Sequence, residues 1–210
     1  KIKTKNDVCH YKLDVKIKNY KTISLLFAMI GYSRYFIELS YNGEAYSGWQ
    51  KQLNSNSIQE TLEKVTSNLL SHETSIVGAG RTDAGVHALK MFAHFDAKIS
   101  DEKFVQLKHL MNNYLPKDIV VKNLFHVIPE AHARFDAISR TYEYKISKEK
   151  DSFDFPFTFL IKENLDIDLM NIASKILLDY KDFKSFSKSN TDVKTFFCKI
   201  ISAKWSLMKN

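Results

Sequence analysis

Long hydrophobic runs are missing from this chain. The longest apolar stretch, residues 23–30, falls far short of the ~20 residues that a membrane-spanning helix needs. It follows a lysine-rich start, as in a signal peptide, but leads straight into a strand-like segment with no small-residue cleavage pattern. Cysteine is scarce. Cys9 and Cys198 lie far apart and in no paired motif, which excludes a disulfide framework and fits a reducing cytoplasm. The seven histidines show no metal-ligand spacing such as His-Glu-x-x-His, so no metal and no zinc chemistry is expected. No Gly-x-x-x-x-Gly-Lys-Ser/Thr occurs, and no internal repeat or low-complexity tract is evident. Glycine is rare too, six in 210 residues, yet three of the six stand between positions 78 and 85.

What is present is a soluble, globular composition, with 44% hydrophobic and 26% charged residues. A length of 210 residues suffices for one large domain or two small ones. The net charge of +7 favours a polyanionic partner, most simply RNA. Fifteen Phe and ten Tyr supply a core and possible base-stacking surfaces.

Periodicity divides the chain into a leader, residues 1–33, to which no element is assigned, and two α+β halves, 34–130 and 131–210. Residues 34–41 alternate as a strand with Tyr35, Ile37, Leu39 and Tyr41 on one face, and Asn42-Gly43 marks a turn. Ser57-Ile58-Gln59-Glu60 reads as a capping box opening a helix. Ser100 caps a second helix, with Phe104, Leu107, Met111 and Tyr114 expected on its buried side and Pro116 closing it. Residues 119–127 and 140–147 are strand-like, 168–180 helical, and 196–205 a last apolar strand. The pattern predicts an α+β fold with a mainly antiparallel sheet and helices packed on one face.

The glycine-dense stretch Gly78-Ala79-Gly80-Arg81-Thr82-Asp83-Ala84-Gly85-Val86-His87 carries the chemistry. It lies between two predicted strands, where a side chain is easily held in place. Its glycines predict a tight turn with room for a ligand. It is no dinucleotide fingerprint, because Asp83 stands where the third glycine belongs. Taken alone, Arg81 and Asp83 are a surface ion pair with turn chemistry. Their functional reading is a carboxylate acting as covalent nucleophile without a cofactor, kept ionised by the nearby cation. A hard metal ion is disfavoured, since Asp83 has no acidic neighbour in the loop.

The ten-residue string resembles the signature of the TruA-type tRNA pseudouridine synthases. Further matches follow in family order: Tyr41-Asn42-Gly43 through Gly48-Trp49-Gln50, then Ser57-Ile58-Gln59-Glu60, His132-Ala133-Arg134-Phe135, Arg140-Thr141-Tyr142-Glu143-Tyr144, and Asp182-Phe183-Lys184-Ser185-Phe186. The resemblance implies ferredoxin-like halves, a cytoplasmic homodimer with no cofactor, and transfer RNA as partner. It implies isomerisation of uridine to pseudouridine at positions 38, 39 and 40 of the anticodon arm. By position, Asp83 falls on the nucleophile, Arg81 on the arginine that pairs with it and takes the flipped base's place, and Tyr142 on the tyrosine that stacks on the uracil. His132 and Arg134 are candidates for phosphate contact.

Family members continue into a segment with a further active-site arginine, whereas this sequence stops at Asn210. The resemblance therefore implies a chain truncated at its C-terminus. It also leaves a second reading open, a non-catalytic RNA-binding fragment that lacks part of the pocket.

Overall fold

The computed structural model of the chain describes residues 11–18, 32–154, 157–187 and 195–208. The chain forms two compact units, Lys1–Ile161 and Lys162–Asn210. The apolar run 23–30 and Cys9 lie outside the described residues, and Cys198 is exposed and unbridged. No helix among the described residues is long and apolar enough to cross a membrane.

The first unit is built on a sheet of six strands. β1 (Tyr11–Ile17), β2 (Ser33–Tyr41), β4 (His87–Ala97), β5 (Ile119–Val127) and β6 (Ala137–Tyr144) lie in the order β5-β2-β4-β1-β6. The short β3 (Val77–Gly78) pairs with β4 as well. Within this sheet the pairings of the described residues are antiparallel except β1 with β4. β2 occupies one edge of β4, so β3 and β1 share the other. β3 takes His94 and Ala93, and β1 takes His87, Ala88 and Lys90. Among the described residues there is also a two-stranded parallel ribbon, β7 (Ile146–Ser147) with β8 (Phe159–Leu160).

Two helices among the described residues belong to this unit. α1 (Ile58–Leu70) begins where the Ser57 side chain accepts from the Glu60 N–H, and ends at Ser71 in the left-handed region (φ 61°). It buries Ile58, Leu62, Thr66 and Leu70, one stripe at four-residue spacing. α2 (Asp101–Tyr114) is capped by Ser100 and buries Leu107 and Met111. Pro116 follows its end, as expected. Phe104 is only partly buried against the core, and Tyr114, expected inside, is 68% exposed. The apolar stripe of this helix is narrower than its sequence spacing suggests.

The strands supply the core. Phe36, Ile37 and Leu39 on β2 and Met91 and Ala93 on β4 have no exposed surface, as a central strand pair requires. Leu13 and Val15 on β1 are equally enclosed, at 1% and 0%. The leader thus contains an interior strand that its lysine-rich sequence does not announce. Its stability comes from neighbours on both sides rather than from periodicity of its own.

The second unit holds α3 (Ile167–Ile176), capped by Asp166 accepting from the Leu169 N–H, and the helix ends before residue 180, where its apolar spacing places its end. The expected last strand does not form. Among the described residues, segment 196–205 makes only an isolated bridge, Asp182 with Phe197, and Trp205 is tied to Asn171 by hydrogen bonds of 2.9 and 3.1 Å. An apolar run becomes a strand only where another strand offers it an edge.

His94, on β4, is 4% exposed, and its Nδ1 accepts from the Ala133 N–H at 3.2 Å. Burial, then the nearby Arg34 and His132 charges, pull its pKa down from 6.5 to about 4. Burial also lowers His126. The unfolded chain binds these protons below pH 6.5 while the native chain refuses them, so stability is full above 6.5 and is lost as pH falls toward 4. We expect His94 alone to remove roughly 3 kcal/mol across that window, at about 1.4 kcal/mol per pH unit. His94→Asn keeps an acceptor for Ala133, so its urea-unfolding free energy should fall less steeply with acid. Parallel curves for the two proteins would contradict this.

Candidate active site

The loop between β3 and β4, residues 79–86, is held by the segment that follows β2. The Trp49 N–H donates to the Thr82 carbonyl at 3.1 Å, and the Gly85 N–H to the Tyr46 carbonyl at 3.2 Å. The Tyr41 and Thr82 hydroxyls share a buried hydrogen bond of 3.0 Å. The Gly43 N–H donates to Nδ1 of the buried His87 at 3.1 Å. At the loop's start, the Ala79 N–H donates to the Phe92 carbonyl at 2.7 Å. The loop also turns on itself, with the Val86 N–H on the Asp83 carbonyl at 3.3 Å.

The first turn of α1 fixes both partners of this clasp. The Gln59 N–H donates to the Trp49 carbonyl at 2.9 Å. The Gln59 side chain accepts from the Lys51 N–H at 3.1 Å and donates to the Ile76 carbonyl at 3.1 Å. Glu63 accepts from the Ile76 N–H at 3.0 Å. One helical turn therefore sets the spacing between the 43–51 segment and the chain entering the loop.

Gly43, Gly48 and Gly78 serve this contact. A Cβ on Gly43 would strike the Val86 carbonyl, and one on Gly48 the Thr82 carbonyl. Gly78 is faced by the Trp49 ring, and Gly48 and Gly85 have φ of +98° and +77°. At Gly78 the neighbouring segment takes the space, through the Trp49 ring.

Within the clasped loop, Thr82 is 7% exposed while Arg81 and Asp83 on either side are exposed. Holding Thr82 inward turns both charged side chains outward. Among the ion pairs of the described residues, none joins Arg81 to Asp83, contrary to the pairing expected. Two solvated side chains gain little by pairing, so their proximity in sequence does not enforce it.

Tyr142 reaches the same neighbourhood through the sheet. Across β5-β2-β4-β1-β6, Ile119, Tyr41, Ala88, Leu13 and Tyr142 form one row. Tyr142 is two strands from Ala88, the residue after His87, or ~10 Å at the usual interstrand spacing. Burial raises the Tyr41 pKa strongly, its bond to Thr82 works against this, and the Tyr142 phenol adds to the rise. Tyr142 itself is 51% exposed.

His132 and Arg134 lie in the loop before β6. The His132 ring packs on Phe135 at 4.3 Å and on His94 at 4.6 Å, and its Nδ1 accepts from the Arg134 N–H at 3.2 Å. His132 thus shapes its own loop. The exposed Arg134 guanidinium lies 5.9 Å from the Phe135 ring centre. The structure brings Arg81 and Asp83 together on one loop. It sets Tyr142 in the row that leads to that loop's end, and His132 and Arg134 on a separate turn. Sequence reasoning assigned no part to Tyr41, Thr82, His87, Gln59 or Arg140. The motifs containing them were visible, but not the contacts that use them. No group of His, Cys, Asp or Glu among the described residues is placed to hold a metal.

The mainly antiparallel α+β sheet is consistent with the pseudouridine synthase fold. The profile described as tRNA pseudouridine synthase matches residues 39–136. "tRNA pseudouridine synthase A" of Parabacteroides distasonis is 49% identical over 173 residues, 82% of this chain and 69% of that protein. That of Bacteroides fragilis is 48% identical over the same shares. "tRNA pseudouridine synthase A 2" of Clostridium tetani is 41% identical over 76% of this chain and 65% of its own length. This chain belongs to the tRNA pseudouridine synthase family, whose members are isomerases.

Gly48→Ala tests the clasp. A side chain at φ +98° is strained, and its Cβ would meet the Thr82 carbonyl. A stability loss of about 2 kcal/mol or more is expected in urea unfolding. A loss below about 0.5 kcal/mol, the range of a neutral surface change, would show that the segments do not need this close approach.

Proposed function

We propose that this chain converts uridine to pseudouridine in the anticodon arm of transfer RNA, with Asp83 as covalent nucleophile. The observation that carries the reading is the inward-held Thr82, which leaves an exposed carboxylate beside an exposed arginine on a loop fixed from both sides. The reaction breaks the bond from ribose C1′ to uracil N1 and forms one from C1′ to C5. N1 gains a proton and C5 loses one, so nothing is oxidised and no cofactor is consumed. The Asp83 carboxylate supplies the electron pair, to C1′ or to C6, and leaves again when the new bond is made.

The other residues have roles that suit their placement. A base in a duplex must leave the stack before chemistry, and an inserted side chain can hold the space it vacates. Arg81 does this from the position two residues before Asp83. Tyr142 stacks on the extruded uracil. Arg134 meets backbone phosphate, and His132 holds the turn that presents it. The net charge of +7 draws the polyanion. The substrates are uridines 38, 39 and 40, and the working form is a homodimer, as the resemblance to the TruA-type enzymes implies.

Asp83→Asn keeps the size of the side chain and removes its charge. Tritium release from C5-labelled transfer RNA should fall by roughly 10³-fold or more, with RNA affinity changed less than about threefold. Wild-type turnover in the variant would refute covalent catalysis by Asp83. Binding without turnover in the unmutated chain would favour the non-catalytic RNA-binding reading instead.

A further inference from the structure

Arg140 stands on β6 two positions before Tyr142. Its Nη2 donates to the Ala79 carbonyl at 2.6 Å and to the Arg134 carbonyl at 3.2 Å. Its Nε comes within 3.4 Å of where a Cβ on Gly80 would stand. One guanidinium therefore touches the two residues that lead into Arg81-Thr82-Asp83, and also the turn that carries Arg134. The loop's far side is held by Trp49, Tyr41 and Tyr46, all from the segment around the end of β2. On its near side Ala79 is held by Phe92 of β4 and by Arg140.

We propose that Arg140 is a positioning residue for the isomerisation, fixing the entrance of the Asp83 loop to the strand that bears Tyr142. The proposal rests on the reading of Asp83 as nucleophile, because that reading gives the separation of loop and strand its meaning. The physical case does not depend on turnover. Hydrogen bonds from a guanidinium to carbonyls are charge-assisted and roughly twice as strong as neutral ones. Ala79 and Arg140 lie 61 positions apart in sequence but are joined by one side chain, which ties the loop directly to the strand that bears Tyr142. Without it, the loop keeps its clasp to the 43–49 segment but loses its tie to β6. Displacing a catalytic group by ~1 Å can cost 10²-fold in rate.

The test uses the full 210-residue chain with Arg140→Gln and Arg140→Lys. Amide hydrogen exchange of the loop peptide, residues 78–87, should be about tenfold faster in Arg140→Gln, with β2 and β5 unchanged. Arg140→Lys keeps the charge but is shorter and lacks the Nε that lies against Gly80, so it should be intermediate. With a transfer RNA transcript, kcat should fall about 10- to 100-fold in Arg140→Gln while KM stays within about threefold. Unchanged loop exchange would overturn the proposal. So would equal acceleration in β2 and β5, the mark of general destabilisation, or loop acceleration with kcat intact. Absence of turnover in the unmutated chain would count against the proposed function alone, and loop exchange would then decide the role of Arg140.

Discussion

The buried hydrogen bonds of Thr82 are the constraint on which the candidate site depends. Its carbonyl accepts from Trp49 and its hydroxyl meets Tyr41, so the middle of the loop is pinned inward. The residues on either side must then point out, and these are Arg81 and Asp83. A loop left to itself would sample many orientations of these side chains at a conformational cost of about 1–2 kcal/mol per residue fixed. Here that cost is met by contacts remote from the chemistry. Gln59 and Glu63 from α1, Tyr46 bound to Asp118 at 2.8 Å, and His87 against Gly43 all reinforce the same clasp.

The sheet makes the second half of the arrangement. β4 begins at His87, directly after the loop, and β1 lies between β4 and β6. Leu13 is flanked by Ala88 on one side and Tyr142 on the other. The separation of the loop from Tyr142 is thus set by the width of one intervening strand. Burial of Leu13 and Val15 fixes that strand's register, since a shift by one residue would turn both outward.

The parts of this fold legible in the sequence were those governed by local rules. β2, β5 and α1 stand where alternation, helical spacing and the Ser57 cap placed them, and α2 begins at its Ser100 cap. The loop at 78–87 was legible because its residue types are unusual together. What was not legible depends on partners distant in sequence. β1 is a strand because β4 and β6 flank it, not because its lysine-rich sequence alternates clearly. The glycines at 43, 48 and 78 are required by Val86, Thr82 and Trp49, contacts that no local pattern contains. Segment 196–205 is apolar enough for a strand yet forms none among the described residues. The side chains of Arg81 and Asp83 were adjacent on paper, but solvent exposure removes the reason for them to pair.

The claim that Asp83 attacks the substrate is tested most directly by trapping. Transfer RNA carrying 5-fluorouridine cannot lose a proton from C5, so the covalent intermediate should accumulate on the enzyme. After nuclease and trypsin digestion, mass spectrometry should find the added nucleotide on the peptide of residues 82–90, at Asp83. An adduct on any other peptide, or pseudouridine formation by the Asp83→Asn variant at the rate of the unmutated chain, would contradict the account.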